Sequence, residues 1–410
     1  MVNLYIFKES SRANIYGIGT YIRELTDTLI YSNINACIVH LHFVKPQEEP
    51  IETDGIHNLS FPPPISRHIL SDWNRQNGLY YRNIVYLLRL HIINTENLVF
   101  HLNYNHSWKL AEELKKAFDC RIVTVAHYSD WSLPIYDNLP RLRSIIKKEQ
   151  PDDFGKSLKR FFETEKLVYS NADRVVCLSH YMHEILCRDY ELDASKISVI
   201  PNGLTDMVKT ASDNKYLREK WKISSGEKVI LFAGRMDEIK GLSFLIKAFR
   251  KVVHRCPQSR LVIAGDGDFS TYTKESQDIC TKITYTGLLD KAQLYEWYCL
   301  ADAGVVPSLF EPFGYVAVEM MMHGLPVVAT ATSGLNEVVD ETCGLKVPVI
   351  QHPEKVEINT GLLAEKILYL LEHPAEARVL GENGRKRYLK EYSSEVFRRN
   401  MIEFYQSLSN

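Results

Sequence analysis

Several hallmarks of membrane, secreted and nucleic-acid-binding proteins are missing from this sequence. It has no run of about 18 apolar residues, so no segment is predicted to span a bilayer. Residues 1–7 are too short and too uncharged to form a signal peptide. Lys and Arg number 49 against 51 Asp and Glu, and the formal net charge is −2. Because proteins that embrace nucleic acid over a large surface carry a basic excess, this balance argues against DNA or RNA as a partner.

Paired cysteines are also missing. None of the eight cysteines forms a CxxC pair, and several lie in apolar runs, as Cys177 does within residues 175–178. This pattern predicts reduced, structural thiols and a cytoplasmic protein. A peripheral contact with the inner face of the membrane stays open, since residues 141–160 hold seven cations and three acids. The alternative for that run is a solvated helix face.

The sequence lacks the short motifs of several enzyme classes. There is no Gly-x-x-x-x-Gly-Lys-Ser/Thr loop and no Gly-x-Ser-x-Gly elbow, which disfavours P-loop NTPases and α/β-hydrolases. No His, Cys, Asp and Glu residues have zinc-like spacing, so no metal site is predicted. A complete Gly-x-Gly-x-x-Gly fingerprint is missing because position 22 is Ile22, which argues against a nicotinamide-dependent dehydrogenase.

What the chain does have is a repeated alternation of short apolar runs with helical patterns. Its 410 residues exceed one ordinary core, and 45% apolar with 24% charged residues is a globular composition. The alternation predicts an α/β protein with parallel sheets, whose strands include residues 2–7, 98–101, 121–126, 228–233 and 260–264. It breaks at the turn 201–203 and restarts near residue 228, so we expect two Rossmann-like halves, 1–203 and 204–385. Ligands of such sheets bind at the carboxyl ends of the strands, which points to a cleft between the halves.

Residues 311–319 are the most informative segment. They follow a predicted strand and open a predicted helix, with Pro312 and Gly314 suited to its start. The free amide groups of a helix start attract anions, while Glu311 and Glu319 would accept hydrogen bonds from the hydroxyls of a sugar or ribose. The alternative is that Glu311 is a dipole-favoured charge and Glu319 a solvated helix residue.

Residues 234–241 also run from a strand end into a helix. Arg235 and Lys240 lie at the carboxyl edge of the predicted sheet, and both could reach a phosphate. The alternative is an ordinary basic loop paired with Asp237 and Glu238.

Two weaker candidates lie in the first half of the chain. Gly17 and Gly19 open the first predicted helix and let the backbone approach a ligand, although a partial glycine loop has little specificity. His127 ends the strand predicted over residues 121–126 and could form a hydrogen bond with a ligand. The alternative is a structural histidine.

Taken together, these segments resemble the retaining glycosyltransferases of family 4, which have the two-domain GT-B fold. Residues 311–319 resemble the family's paired-glutamate motif, and residues 234–241 its Gly-Arg…Lys-Gly pyrophosphate segment. Residues 17–21 resemble its glycine loop, and residues 200–203 its interdomain strand and turn. The resemblance implies that the tail 386–410 forms a helix that crosses back onto the first domain.

The resemblance also implies residue roles. Arg235 and Lys240 would hold the pyrophosphate of a nucleoside-diphosphate sugar, and Glu311 would bind the sugar hydroxyls near the reacting centre. Glu319 would bind the ribose, and His127 would contact the sugar from the first domain. The other implied binding positions are Gly17, Gly19, Gly234, Gly287, Leu288, Phe313, Gly314, Tyr315 and Val316.

The implied reaction is transfer of a sugar from a UDP- or GDP-sugar to a hydroxyl acceptor with retention of configuration and without a required metal or other cofactor. The acceptor, whether a sugar, a lipid-linked sugar or a peptide, is left open. A retaining double displacement needs two carboxylates about 5–5.5 Å apart, and no clear second carboxylate is present. We therefore expect front-face attack. Two alternatives stay open: a nucleotide-sugar epimerase or hydrolase of GT-B type, and a non-catalytic sugar-nucleotide-binding protein.

Overall fold

The computed structural model of the protein describes residues 1–9, 17–30, 32–43, 56–63, 73–208 and 214–408. Its contacts divide the chain into two compact units. The first, called here the N-unit, comprises Met1–Trp131, Lys148–Thr205 and Ser394–Asn410. The second, the C-unit, comprises Ser132–Lys147 and Asp206–Ser393.

The bounds of the two units differ from the predicted domain bounds, since the break after Thr205 lies two residues beyond residue 203 and two larger differences occur. The segment Ser132–Lys147, which lies inside the predicted first half, groups with the C-unit. The chain returns to the N-unit at Ser394 rather than at residue 386. The α-helices of the described residues are, in chain order, α1 Gly17–Leu29, α2 Trp73–His91, α3 Trp108–Ala117, α4 Ser132–Ile135, α5 Leu139–Lys147, α6 Asp153–Asn171, α7 His180–Arg188, α8 Asn214–Lys220, α9 Leu242–Arg255, α10 Phe269–Glu275, α11 Lys291–Leu300, α12 Tyr315–Met322, α13 Leu335–Val338, α14 Thr360–Glu372, α15 Pro374–Arg387 and α16 Ser394–Ser407. None of these helices is long and apolar enough to cross a membrane.

The N-unit is built on a parallel sheet. Within the described residues it has seven strands: β1 Val2–Glu9, β2 Ile34–Leu41, β3 His57–Ser60, β4 Leu98–Leu102, β5 Cys120–Ala126, β6 Arg174–Cys177 and β7 Ile197–Val199. Their order is β3-β2-β1-β4-β5-β6-β7. All five residues of β4 are buried, as expected for a strand covered on both faces. The order reverses between β1 and β4, so the crevice of this unit is expected at their carboxyl ends.

Capping side chains fix where two helices of the N-unit begin. Asp152 caps α6 by accepting a hydrogen bond from the Gly155 amide at 2.8 Å, and Ser179 caps α7 through the Met182 amide at 3.2 Å. The last helix, α16, packs on α1, where Phe397 meets the ring of Tyr21 edge to face with centroids 5.7 Å apart. The tail therefore completes the N-unit core.

The C-unit repeats this plan. Its described residues form a sheet ordered β10-β9-β8-β11-β12-β13-β14, with strands β8 Lys228–Ala233, β9 Ser259–Ala264, β10 Ile283–Gly287, β11 Ala303–Val306, β12 Val327–Ala331, β13 Gly344–Gln351 and β14 Val356–Ile358. All pairs are parallel except β13 with β14. The amphipathic helix α9 buries Leu245, Ile246, Phe249 and Val252 in the hydrophobic core that it shares with the sheet.

Candidate active site

The carboxyl ends of β8 and β11 mark the point where the strand order of the C-unit reverses. Open α/β sheets bind ligands at this point. The loop after β8 contains Arg235 and Lys240, and the loop after β11 contains Glu311. The two segments that the sequence singled out thus flank one crevice, although they lie far apart along the chain.

Lys240 and Glu311 form an ion pair in that crevice. The Lys240 Nζ donates to Glu311 Oε2 at 2.5 Å, and the side chains are 23% and 16% exposed. A charge-assisted bond of this kind is strong, yet both groups still reach solvent and hence a ligand. The pair is one cation and one carboxylate placed where a substrate can reach both.

The backbone fixes this pair in place. Gly241 follows Lys240 in the left-handed region, with φ 69°. A Cβ at Gly241 would lie 1.8 Å from the carbonyl oxygen of Pro307, so only glycine fits between the two loops. The Leu309 amide then donates to the carbonyl oxygen of Ile239 at 2.8 Å. The two loops are therefore held together by backbone contacts on both sides of Lys240.

Gly314 places the start of α12 beside Glu311. Its φ of 107° is left-handed, and an added Cβ would lie 2.9 Å from Leu335 Cδ1 and 3.5 Å from Glu311 Cγ. The first backbone bond of the helix runs from the Val318 amide to the Gly314 carbonyl. The amide groups that precede it, those of Tyr315 and Val316 among them, have no acceptor within the helix and form a partial positive charge. Glu311, which is bonded to Lys240, lies beside this helix start.

Neighbouring segments support this arrangement. The Leu335 amide donates to the carbonyl oxygen of Glu311 at 3.2 Å. Gly334 packs so tightly on the same loop that a Cβ would lie 1.9 Å from the Pro312 carbonyl oxygen. Phe313 is buried, and its ring packs edge-on against Tyr315 with centroids 5.2 Å apart. The Phe313 side chain is therefore packed inside the loop and is not accessible to a substrate.

Arg235 lies in the same loop after β8, five residues before Lys240. Its guanidinium contacts Asp237 at 3.0 Å, and about a third of each side chain is exposed. Gly234 before it has φ 144°, and the ideal Cβ of Gly265 would lie 1.8 Å from the Gly234 carbonyl. Close backbone packing therefore sets the direction in which Arg235 leaves the strand.

Glu319 lies in the second turn of α12 and is only 3% exposed. It accepts a hydrogen bond from Tyr298 at 2.9 Å and another from Lys291. Burial, and then the neighbouring carboxylate, raise the pKa of Tyr298 well above its usual value. A buried carboxylate needs such hydrogen-bond partners to offset the loss of its hydration.

Neither Lys291 nor Tyr298 was predicted from the sequence as a partner of Glu319. Both are on α11, which an Asp290 capping box begins, and their separation of seven residues places them on one helix face. Their seven-residue spacing is the feature of the sequence from which a shared face could have been predicted. Of the remaining binding candidates of this unit, Gly287 is the last residue of β10 and has φ 71°, and the exposed Leu288 follows it.

A second group that sequence reasoning missed comes from the segment Ser132–Lys147. The Ser333 hydroxyl donates to Asp137 Oδ2 at 2.7 Å, and Asp137 is buried with φ 59°. Burial and then a hydrogen bond to Glu238 raise the pKa of Tyr136. This segment thus contacts both the loop after β8 and the region of Gly334. The basic run 141–160 is correspondingly divided between the two units.

The N-unit places its candidates in a different environment. His127 follows β5 and is buried, with Nε2 3.0 Å from Asn103 Oδ1. Asn103 donates its own Nδ2 to the Phe7 carbonyl, so its oxygen accepts and His127 carries its proton on Nε2. Burial lowers the pKa of His127 to about 3. Its Nδ1 is therefore an acceptor, and the ring is neutral at physiological pH.

The other N-unit candidates begin α1. Gly17 is exposed and Gly19 is buried. The residues between β1 and Gly17, Tyr16 included, lie outside the described residues. At the end of β1, Glu9 is paired with His106 at 3.0 Å, a contact at the carboxyl edge that the sequence analysis did not predict. Glu9 and His106 are 97 positions apart in the sequence, so their contact could not be predicted from either segment.

Two family models match the chain. The model described as Glycosyltransferase Family 4 matches residues 15–206, and the model described as Glycosyl transferases group 1 matches residues 227–396. Together they cover both units almost completely.

Curated relatives agree with these families. An uncharacterized glycosyltransferase of Methanocaldococcus jannaschii is 29% identical over 257 residues, which are 56% of this chain and 64% of that protein. A D-inositol 3-phosphate glycosyltransferase of Segniliparus rotundus is 30% identical over 240 residues, 57% of this chain and 51% of that protein. The chain thus spans about half to somewhat under two thirds of the length of these relatives.

Solved structures show the same fold. Sucrose-phosphate synthase from Thermosynechococcus elongatus matches with a TM-score of 0.78 and 22% identity, over 100% of this chain and 99% of that one. Anabaena HepE in complex with UDP and glucose matches with a TM-score of 0.73 and 17% identity, over 99% and 100%. The predicted fold class, two Rossmann-like parallel-sheet domains of GT-B type, is confirmed.

Proposed function

The chain belongs to glycosyltransferase family 4, and on that premise we propose that it transfers a sugar from a nucleoside-diphosphate sugar to a hydroxyl group of an acceptor. The acceptor is a sugar, a lipid-linked sugar or a peptide. Support for the donor comes from the C-unit crevice and from the structural relative HepE, which binds UDP and glucose.

One observation carries the proposal: the Lys240–Glu311 pair at the start of α12, with Arg235 on the same sheet edge. Breaking the bond between sugar and phosphate develops negative charge on the departing diphosphate. Fixed positive groups that face this charge are usually the largest catalytic contribution. Lys240, Arg235 and the amide groups of Gly314, Tyr315 and Val316 are such groups, so we propose that they bind the diphosphate without a required divalent metal.

In this proposal the carboxylates of Glu311 and Glu319 bind the uncharged parts of the donor, the transferred sugar and the ribose. Glu311 accepts hydrogen bonds from hydroxyls of the transferred sugar while it keeps Lys240 in place. Glu319 accepts from the ribose hydroxyls, and Lys291 and Tyr298 hold its carboxylate in the orientation required. Gly234, Gly287 and Leu288 would line the nucleotide. The parts assigned to His127, Gly17 and Gly19 stay predictions of the resemblance.

We propose retention of configuration through front-face attack. Glu311 is already bound to Lys240, which lowers its value as a nucleophile. In the front-face reaction the bond between the anomeric carbon and the diphosphate oxygen breaks as the acceptor oxygen bonds to the same face of that carbon. The acceptor's proton passes to the leaving diphosphate, so atoms and charge balance without a covalent enzyme intermediate.

A thermal-shift panel of UDP-, GDP- and ADP-sugars, each with and without EDTA, tests the proposal. A ligand at a hundredfold excess over its dissociation constant adds about 2.7 kcal/mol of stability. We expect one UDP- or GDP-sugar to raise the melting temperature equally in both conditions. A panel without response contradicts the transferase proposal, and a shift abolished by EDTA contradicts metal independence. Turnover with candidate acceptors, followed by NMR of the product anomer, then tests retention.

A further inference from the structure

The segment Ser132–Lys147 interrupts the N-unit in sequence but packs with the C-unit. It continues directly from Trp131, which belongs to the N-unit. Its two helices, α4 and α5, bury Ile135, Leu142 and Ile145. Because ordering such an excursion costs conformational entropy, its contacts with the C-unit must supply a compensating stabilisation.

The turn between α4 and α5 is strained. Tyr136 and Asp137 have φ values of 49° and 59°, in the left-handed region. Ser333, whose hydroxyl donates to Asp137 Oδ2 at 2.7 Å, is left-handed as well, with φ 44°. Among the described residues seven that are not glycine have positive φ, and three of the seven lie at or beside this one contact. Such conformations persist only where the surrounding contacts hold them, and they concentrate at functional sites.

The stretch around Ser333 is bonded to the loop that carries Glu311. Before Ser333, the Thr332 hydroxyl donates to the Leu309 carbonyl oxygen at 2.9 Å. After it, the Leu335 amide donates to the Glu311 carbonyl oxygen at 3.2 Å. The turn between α4 and α5 thus holds the middle of a stretch whose two ends are joined to the loop after β11.

The same turn reaches the loop after β8. Tyr136 packs against the hydrophobic cluster that includes Met236. Its hydroxyl is hydrogen-bonded to Glu238, which lies between Arg235 and Lys240 in sequence. One turn therefore contacts the elements on both sides of the C-unit crevice, although it lies in neither of the two loops.

We propose that Asp137 is a positioning residue for the diphosphate site of the C-unit. By holding Ser333, it fixes the loop that carries Glu311 and begins α12. Through the adjacent Tyr136, the same turn holds the loop of Lys240 beside it. Preorganised groups stabilise charge because they need not move when it develops, and a small misplacement of them is costly. The inference rests on the proposed function, since the binding of a diphosphate is what this positioning serves.

Calorimetric titration of the full chain with UDP and with GDP tests the proposal. Asp137→Ala and Ser333→Ala should each weaken diphosphate binding about fivefold to tenfold, the scale usual for neighbours in one hydrogen-bond network. The double variant should lose no more than the weaker-binding single variant, because both changes remove one contact. Asp137→Asn should bind nearly as the unaltered chain does, since asparagine tolerates the left-handed backbone and still accepts from Ser333.

A matched control separates positioning from a general loosening of the segment. Glu354→Gln removes the ion pair at 3.3 Å that joins Arg141 of α5 to the turn between β13 and β14. It should leave diphosphate affinity unaltered. Hydrogen–deuterium exchange without ligand should be faster over residues 331–336 in Ser333→Ala but not in Glu354→Gln. Circular dichroism melts check that each variant is folded, and Ser333→Ala decides if Asp137→Ala does not fold.

The contrary outcomes differ from a failure of the proposed function. Unaltered diphosphate affinity in Ser333→Ala, in a series where Lys240→Ala does weaken binding, would overturn the positioning role and leave the proposed function intact. Additive losses in the double variant would also overturn it, because Asp137 and Ser333 would then act separately. If the unaltered chain binds neither UDP nor GDP, the proposed function fails and this inference fails with it.

Discussion

The carboxyl edges of the two sheets differ in charge although their strand orders reverse at equivalent points. In the C-unit, Lys240 and Glu311 form a partly exposed ion pair beside the start of α12. In the N-unit, His127 is buried, neutral and bonded to Asn103. The same topology therefore supports two kinds of site. The C-unit edge combines Lys240 with the start of α12, and on this basis we propose that the C-unit receives the diphosphate.

Removing the cation of the C-unit pair should give the largest effect. Lys240→Ala is expected to lower turnover about 10²–10³-fold, the usual loss when one preorganised charge donor is removed. It should also weaken binding of the free nucleoside diphosphate, measured by calorimetry. Lys251→Ala, on the exposed side of α9, is the control and should leave both unchanged. Unaltered diphosphate affinity in Lys240→Ala would refute the role assigned to Lys240.

Removing the carboxylate of the same pair should separate turnover from binding. Glu311→Gln keeps the shape but loses the anion, so turnover is expected to fall about 10²-fold as the contact with the sugar hydroxyls weakens. Affinity for the free diphosphate should be retained or improved, since Lys240 is no longer neutralised. Equal losses in turnover and diphosphate affinity would show that Glu311 serves only to position Lys240.

Glu319 should affect donor binding more than chemistry. Glu319→Gln is expected to raise the KM for the donor about tenfold with kcat little changed, because a hydrogen bond to a charged group is worth about 1.5–3 kcal/mol. Glu365→Gln on the exposed surface of α14 is the control. A fall in kcat without a change in KM would move Glu319 from the ribose to the reacting centre.

The buried His127 of the N-unit should make the unfolding free energy of the protein depend on pH. The unfolded His127 imidazole gains a proton near pH 6.5, whereas the folded one stays neutral down to about pH 3. The unfolding free energy therefore falls as pH drops through this window, by about 1.4 kcal/mol per unit for one histidine. Between pH 7 and pH 5 the unaltered chain should lose about 2 kcal/mol more than His127→Asn. Equal losses in denaturant melts would mean that His127 is not buried neutral.

Much of the fold could be predicted from the sequence because buried parallel strands are continuous apolar runs. The strands β1, β4, β5, β8 and β9 follow this rule and were predicted closely. The exceptions have physical causes. The strand β3 is short and polar, β13 contains Pro348 and Lys346, and β14 has only three residues. None of them presents an apolar run.

The candidate site was predictable only in part. Lys240 and Glu311 could each be chosen from strand-to-helix transitions, since the carboxyl ends of parallel strands meet at one edge. Their direct bond, across 71 positions, depends on the close contact of Gly241 with Pro307 and is not encoded in either segment alone. The Asp137–Ser333 contact was unpredictable for the same reason, as it requires knowing that Ser132–Lys147 joins the C-unit.

The most direct measurement is a crystal structure of the chain with a nucleoside-diphosphate sugar, grown in the presence of magnesium. We predict that the diphosphate lies within hydrogen-bond distance of Lys240, Arg235 and the amide groups that begin α12, with no ion between phosphate and protein. A diphosphate chelated by magnesium, or bound away from the start of α12, would contradict the account.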